Sequence, residues 1–551
     1  MAPHRGAAAA AIAVAAAISI AACAPDSGDD TSRSAPAPSP GASSLLLVSL
    51  DTFRADAAGS GGDPQARTPH LDRLARTGVQ FEDGLVPVPL TRPSHASMLT
   101  GVNPPKHGIR DNGMFGLAEG VPTLAEHLRE RGFATAAFIA AFPLDSEFGL
   151  DRGFDVYDDV VYRSGAMFTE AQRDGDEVTR SAAEWIEALP SDRRAFVWVH
   201  LFDAHSPPNA PAPVSAAYGG DAYPADVWTA DHWLGRAVRT AEERGGFRII
   251  VLGDHGESRG EHREPTHGVF VYGSTMRVPA VVHPAPAGAP AGLQRAVFRA
   301  IDVPATAFDL LELAPETAPG DGVSALTGSP RATYMESLFP AIEFGWAELR
   351  AVQADGWKYV RAPESELYDL RSDPGETRNV IDEHPERAAE LAAQLDSLIR
   401  EEVSGESVEL DAAAREALES LGYVTGDGAA PDSGADLPDP KRMIAVQNDI
   451  SAAQGLLSED RPDAALQLLR RALRRDPRNK GLYLTMGMAL ARLGAHAGAA
   501  DAFVRSIELP PHRNDRVARF ELASSYLLLG ENEKAAEQLK LVLETSPNDA
   551  N

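Results

Sequence analysis

The stretch Pro89 to Gly113, PLTRPSHASMLTGVNPPKHGIRDNG, brings together a candidate nucleophile, a helix start and two turn-rich segments able to hold an oxyanion. Pro93 fits the first turn of a helix that runs through Met98 and Leu99 and closes at Gly101, which sets Thr91 just ahead of its N-terminus. Backbone N–H groups and the helix dipole favour negative charge there, so a Thr hydroxyl losing its proton and a tetrahedral anionic group beside it are both stabilised. An ordinary helix cap is the plainer use of Thr91 or Ser94. Asp51, Asp254 and His255 are expected to gather with Thr91 around one divalent metal, because carboxylate, imidazole and alkoxide oxygens at converging strand ends match the preferences of zinc or manganese.

Short apolar runs must position these groups. LLLVSL (Leu45 to Leu50) ends at Asp51, FVWVHLF (Phe196 to Phe202) leads into Asp203 and His205, and FRIIVLG (Phe247 to Gly253) leads into Asp254 and His255. Such runs predict central parallel strands buried on both faces. Helix signals alternate with them: Thr68-Pro69 with Leu71, Leu74 and a stop at Gly78, then Pro122 with Leu124, Leu128 and a stop at Gly132, followed by FATAAFIA from Phe133. The alternation predicts a doubly wound α/β fold, in which ligands bind beyond the carboxyl ends of the strands.

From about Arg331 the pattern changes to short runs with turns, including GWKYV (Gly356 to Val360) and ELYDL (Glu366 to Leu370) before DPGE, which predicts a small antiparallel sheet. A charged helical stretch continues to about Tyr423. Further on, Ala464-Ala465, Ala499-Ala500 and Ala535-Ala536 recur 35 and 36 residues apart, and Pro477, Pro511 and Pro547 recur at 34 and 36. This resembles tetratricopeptide helix pairs, an all-α solenoid whose concave face binds peptides or partner proteins.

The 551-residue chain has a formal charge of −29, which argues against a nucleic-acid polymer or an anionic membrane as a partner of a general basic field. Arg5, an Ala/Ile/Val run to Ile20 and SIAAC form a secretory signal in which Cys23, the only cysteine, resembles the lipidated residue of a bacterial lipobox. The expectation is an exported, lipid-anchored protein of the bacterial cell envelope. Its divisions are a signal at 1–23, a Pro/Ser/Gly/Ala-rich tether at 24–44, an α/β catalytic core at 45–330, a subdomain at 331–424, a linker at 425–440 and helical repeats at 441–551.

LLLVSLDTFRAD at Leu45, TPHLDRLARTGVQFEDG at Thr68, the Thr91 block, GDHGES at Gly253, MRVPAVV at Met276 and ELYDL…DPGE together resemble the sulfatase branch of the alkaline phosphatase superfamily, over Leu45 to about Tyr423. True sulfatases of that family have a Cys or Ser, converted to formylglycine within C/S-x-P-S-R, where this chain has Thr91. Thr cannot be converted, and His95 stands where the arginine should be. The block T-x-P-S-H-x-S-x-L-T-G…P-x-x-H-G-x-x-D-N is similar instead to the nucleotide pyrophosphatase/phosphodiesterase relatives, which use an unmodified Thr. Asn112 falls where those enzymes place an amide on a phosphoryl oxygen, and an amide donor suits that role.

The resemblance further implies a second metal held by Asp203, His205 and His267, or one metal with His205 on the substrate. His107, Lys106 and His95 are candidates to meet the substrate's anionic group, with a surface position the commoner use of a lysine such as Lys106. The cofactor is thus one or two divalent ions, zinc or manganese, or calcium on the sulfatase pattern. The reading is a metal-dependent hydrolase of phosphoesters, with diesters favoured, acting through a covalent Thr91 ester. Alternatives are hydrolysis of sulfuric esters, transfer of a phospho-alcohol group in the cell envelope, and an inactive repeat scaffold.

Overall fold

A computed structural model of the chain describes residues 43–545 apart from 64–65, 114, 162–171, 207, 329–330, 401, 404–405, 409–417, 419–436 and 510–514. Cys23 with the expected signal, nearly all of the tether, most of the linker, and Pro511 and Pro547 lie outside the described residues. No helix among the described residues is long and apolar enough to cross a membrane.

The first apolar run forms strand β1 (Ser44–Leu50), which takes in Ser44 as well because its N–H bonds Gly246 O at 2.8 Å. The other strands of the core are β2 (Val79–Leu85), β4 (Ala134–Phe138), β5 (Val156–Asp158), β6 (Ala195–Leu201), β7 (Phe247–Gly253), β8 (Arg277–Val278), β9 (Ala280–His283) and β10 (Gly292–Arg299). They make one sheet in the order β10-β2-β9-β7-β1-β6-β4-β5, with β8 on β2. β7, β1, β6, β4 and β5 run parallel, whereas β9 is antiparallel to both neighbours. Alternate residues of β1 enter two cores: Leu45 and Leu47 join one, and Leu46, Val48 and Leu50 the other, so helices cover both faces. This is the doubly wound α/β sheet expected, made mixed by the antiparallel β9.

Two helix starts differ from the pattern. Helix Leu124–Glu130 is capped by Thr123, whose hydroxyl accepts from Glu126 N while the Glu126 carboxylate accepts from Thr123 N, a reciprocal box that outweighs Pro122 as the start signal. Helix Thr91–Thr100 begins at Thr91 itself, with Leu90 and not Thr91 just ahead of it, keeps Pro93 in its first turn, and ends as expected at Gly101 with φ 73°.

The small antiparallel sheet is β11 (Thr333–Ser337), β12 (Leu349–Ala354), β13 (Trp357–Arg361) and β14 (Glu366–Asp369) in sequential order. Separately, β3 (Phe115–Gly116) pairs with β15 (Glu406–Ser407). The C-terminal helices form three pairs: Pro440–Ser458 with Pro462–Ala472, Lys480–Arg492 with His496–Glu508, and Arg516–Leu528 with Asn532–Thr545. Ala465, Ala499 and Ala535 are buried where helices meet, and a Cβ on Gly487 would lie 2.4 Å from the Phe503 ring, so the crossing requires glycine there.

The repeats are anchored to the core by Trp346. It is 1% exposed, lies in the cluster of the first helix pair, and donates its indole N–H to Asp476 Oδ2 at 3.2 Å. Trp346→Ala is expected to cost about 3–5 kcal/mol, read as faster amide exchange through Pro440–Ser458 than through β1. Equal exchange in wild type and variant would show that the anchor lies elsewhere.

Candidate active site

The register of the parallel strands puts the reactive groups side by side. Leu50 is level with Leu201 on one side and with Gly253 on the other, so Asp51 and Asp254 leave the same edge of the sheet together. Helix Thr91–Thr100, every residue of which is buried, points its N-terminus at that edge. Ser94 fixes it there by donating to Asp254 O at 2.5 Å. Gly256 lets the following loop pass: a Cβ would meet Ser274 O at 2.2 Å.

Thr91, Asp51, Asp254 and His255 are brought together as expected from their strand ends. The Thr91 hydroxyl donates to Asp51 Oδ2 at 3.3 Å. His255 Nε2 lies 4.0 Å from Asp51 Oδ1 and 3.7 Å from Asp254 Oδ2. Asp254 Oδ1 accepts from His255 N at 2.6 Å and from Thr52 N at 3.2 Å. Thr52 is held at φ 49°, unusual for a β-branched residue, with its carbonyl accepting from the Tyr223 hydroxyl at 2.8 Å.

Three buried atoms of this group, Asp51 Oδ1, Asp254 Oδ2 and His255 Nε2, have no hydrogen-bond partner. Ligand atoms of Asp51, Asp254 and His255 lie within 4.8 Å of one another. Burial and the adjacent Asp51 charge push Asp254 well above the ordinary carboxylate range. Burial also raises Asp51, but the His200 hydrogen bond and the His255 and His205 charges outweigh it and leave that carboxyl low. Two buried carboxylates with an imidazole and no cation to answer them fit a divalent metal. Burial and His267 lower His255 to about 3, which keeps its ring neutral as a ligand must be.

His95 and His200 flank the far side of Asp254, and these three residues form a second grouping within the same distance limit. His95 Nδ1 donates to Thr91 O at 2.7 Å, which leaves its partnerless Nε2 carrying the lone pair. His200 was not singled out from the sequence. Its Nε2 is 3.3 Å from Asp51 Oδ2. The signal was a single imidazole inside the otherwise apolar run FVWVHLF.

Asn112 accepts from Arg92 N, the residue after Thr91, at 2.8 Å, and its buried Nδ2 has no partner. Arg92 ties that loop to the helix by donating to Gly113 O at 3.0 Å and Pro143 O at 2.6 Å. Its guanidinium lies over the Phe148 ring, and burial lowers it to about 9. Two positions earlier, Arg110 grips Glu336 with two bonds of 2.6 Å. An amide donor held so firmly beside the helix start suits an oxyanion. Asn112→Ala is expected to lower kcat ~10²–10³-fold with a much smaller change in KM, measured by steady-state kinetics. A loss confined to KM would assign Asn112 to ground-state binding.

The other expected positions fall outside the Asp51, Asp254 and His255 grouping, although the His267 ring lies 4.4 Å from that of His255. Asp203 turns away from the metal ligands to accept from Gly175 N at 3.3 Å, and burial raises it to about 7. His267 faces Glu257 at 3.2 Å; although burial lowers it, Glu257 prevails and pushes it above its ordinary value. His205 stacks on Phe202 with ring centroids 4.2 Å apart and lies 5.3 Å from the His267 ring. No candidate metal grouping among the described residues contains Asp203, His205 or His267. His107, lowered to about 3 by burial and Arg110, shares a hydrogen bond with Ser97 at 3.0 Å as a structural residue. Lys106 pairs with Asp321 at 2.7 Å.

The ELYDL and DPGE motifs act as a clasp on the loop that follows His255. Glu376 accepts from Gly273 N at 2.5 Å and pairs with buried Lys358 at 2.8 Å, and Glu366 accepts from the Tyr272 hydroxyl at 3.0 Å. Within the loop, buried Glu264 accepts from Val269 N and Phe270 N.

The family model for sulfatases matches residues 43–313, and that for the tetratricopeptide repeat matches 518–549. Among relatives, "Uncharacterized sulfatase YidJ" of Escherichia coli (strain K12) is 23% identical over 425 residues, covering 62% of this chain and 83% of its own. The Delta 4,5-hexuronate-2-O-sulfatase of Bacteroides thetaiotaomicron is 23% identical over 471 residues, covering 70% and 95%. Among solved structures, the phosphonate monoester hydrolase of Agrobacterium radiobacter superposes with a TM-score of 0.50 at 19% identity, covering 65% of this chain and 95% of that one. This chain therefore carries a sulfatase-family domain at residues 43–313 and a tetratricopeptide repeat at residues 518–549.

Proposed function

We propose that the chain hydrolyses phosphodiesters through a covalent ester on Thr91. The observation that carries this is an unmodifiable hydroxyl, Thr91, at the N-terminus of a buried helix, 3.3 Å from Asp51 and beside the partnerless amide of Asn112. Thr91 Oγ1, its proton given up to solvent, attacks phosphorus, forming the Oγ1–P bond and breaking the bond to the leaving alcohol. Asn112 Nδ2 and the helix N-terminus stabilise the charge that develops on the phosphoryl oxygens. His267, whose proton affinity the facing Glu257 carboxylate raises, gives a proton to the leaving oxygen. Water then attacks phosphorus, giving its proton to the His267 that the first step left neutral, and the Oγ1–P bond breaks to regenerate Thr91. A divalent cation held by Asp51, Asp254 and His255 supplies Lewis-acid polarisation.

Sulfate esters are the second reading. It is favoured by the named activity of the hexuronate sulfatase relative, whereas the Thr91 block favours phosphorus. The test is side-by-side hydrolysis of bis-p-nitrophenyl phosphate, p-nitrophenyl phosphate and p-nitrophenyl sulfate by the full chain with Zn²⁺ or Mn²⁺. Preference for the diester supports the proposal; faster turnover of the sulfate would replace it with the second reading. We further propose a tether at Cys23 outside the cytoplasm and a protein partner for the repeats.

A further inference from the structure

A cleft of about 960 Å³ opens from His205 and His267, and one of its walls comes from the repeats. Ile444, Gln447 and Ser451 line it, spaced three and four residues apart and therefore on one face of helix Pro440–Ser458. This helix is fixed to the core at several points. Asp439 caps it and accepts from Glu364 N at 2.9 Å, Lys441 Nζ donates to Glu364 O at 2.7 Å, and Asn448 Nδ2 donates to Arg263 O, in the loop opposite, at 2.9 Å. Ile444 is 1% exposed and belongs to the main core of the α/β domain. The wall is thus as firmly placed as the catalytic loops it faces.

The chemistry of the cleft is one-sided. Asp221, Asp226, Glu257 and Glu264 line it, and Arg259, the guanidinium among the lining residues, pairs with Asp221 at 2.6 Å. On the repeat side Gln447 contributes a buried Oε1 with no hydrogen-bond partner, an acceptor that calls for a donor on the ligand. Arg259 is engaged by Asp221, His267 by Glu257, and Asp226 and Glu264 accept backbone N–H groups, so a second anionic group meets only cations that already have a carboxylate, whereas a hydroxyl or an ammonium finds an acceptor in Gln447 Oε1.

We propose that the first helix of the repeats is a specificity wall of the catalytic cleft, where Gln447 and Ser451 contact the ester's second alcohol and select one that is neutral or cationic over one bearing an anionic group. This deepens, and rests on, the ester hydrolysis proposed for Thr91. The repeat module then serves the site directly and is not only an adaptor for partners.

Three diesters test it on the full chain: p-nitrophenyl phosphocholine, bis-p-nitrophenyl phosphate, and a p-nitrophenyl diester whose other alcohol is glycolate. The first two are expected to exceed the glycolate diester in kcat/KM by tenfold or more. Gln447→Arg, or Ser451→Arg at a more exposed position, should narrow that ratio at least fivefold. Leu528→Arg, the same positive charge on an exposed residue of the fifth repeat helix, should leave the ratio as in wild type. An unchanged ratio in both wall variants, with Thr91-dependent turnover intact, overturns the wall and spares the ester reading. Equal narrowing by Leu528→Arg also overturns it, in favour of a general charge effect. Absence of Thr91-dependent turnover of all three diesters overturns both.

Discussion

Thr91→Ala is expected to lower kcat/KM for the preferred ester by ~10⁴-fold or more, equivalent to about 5.5 kcal/mol of transition-state stabilisation. The size follows from the part assigned to the hydroxyl. Without Oγ1 no covalent ester forms, and what remains is the oxyanion environment of Asn112 and the helix N-terminus, which lowers the barrier only for direct attack by water. Thr91→Ser keeps the nucleophile but removes the methyl group that limits its rotation in a fully buried site, so a loss of ~10–100-fold is expected. A parallel measurement separates chemistry from collapse of the site. Asp51, Asp254 and His255 are untouched by Thr91→Ala, so the rise in melting temperature on adding Zn²⁺ or Mn²⁺ should persist. If Ala at this position retained more than a tenth of wild-type activity, water would be the nucleophile and Thr91 an ordinary helix residue.

Much of this site was legible because strand ends are a sequence-level property. Asp51, Asp254 and His255 each follow an apolar run directly, and once those runs pair in parallel at the observed register no freedom remains to separate them. Asp203 shows where that logic stops. It lies two residues past the end of β6, where the chain has already begun to turn, and the turn aims its carboxylate at Gly175 N. Nothing local to Asp203 encodes that, since a Cβ on Gly175 would sit 2.5 Å from its Oδ2 and only glycine there makes room. His200 was hidden for the opposite reason: inside a buried strand, a polar residue shows its use only when the neighbouring strands are in place.

Lys106 and the repeats are the long-range cases. The partner of Lys106 is Asp321, and the bond from Asn448 to Arg263 O spans 185 residues, so neither follows from spacing. The alanine period predicted stacked helix pairs because each pair solves its packing locally, with Ala465, Ala499 and Ala535 all buried. Where the first pair docks depends on Trp346, which belongs to a different part of the sequence and packs into the helices' core.

Asp254→Asn should separate metal binding from folding, with changes of opposite sign. In the metal-free protein Asp254 sits buried against Asp51, and the pair is costly: burial and the neighbouring carboxylate push Asp254 well above its usual range. An amide of the same shape keeps the acceptor that His255 N and Thr52 N use, while removing the charge. The metal-free variant is therefore expected to melt at or above the temperature of the metal-free wild type. With Zn²⁺ or Mn²⁺ at ~100 times the dissociation constant, wild type should gain about 2.7 kcal/mol, whereas the variant, short of one anionic ligand at the shared corner of both groupings, should gain little. Activity should fall ~10³-fold or more, and chelation of the wild type by EDTA should reproduce that loss and reverse on adding metal. A variant that melts well below the metal-free wild type, or one that keeps the full metal-induced rise, would remove Asp254 from the ligand set and leave His95 and His200 as the groups to test next.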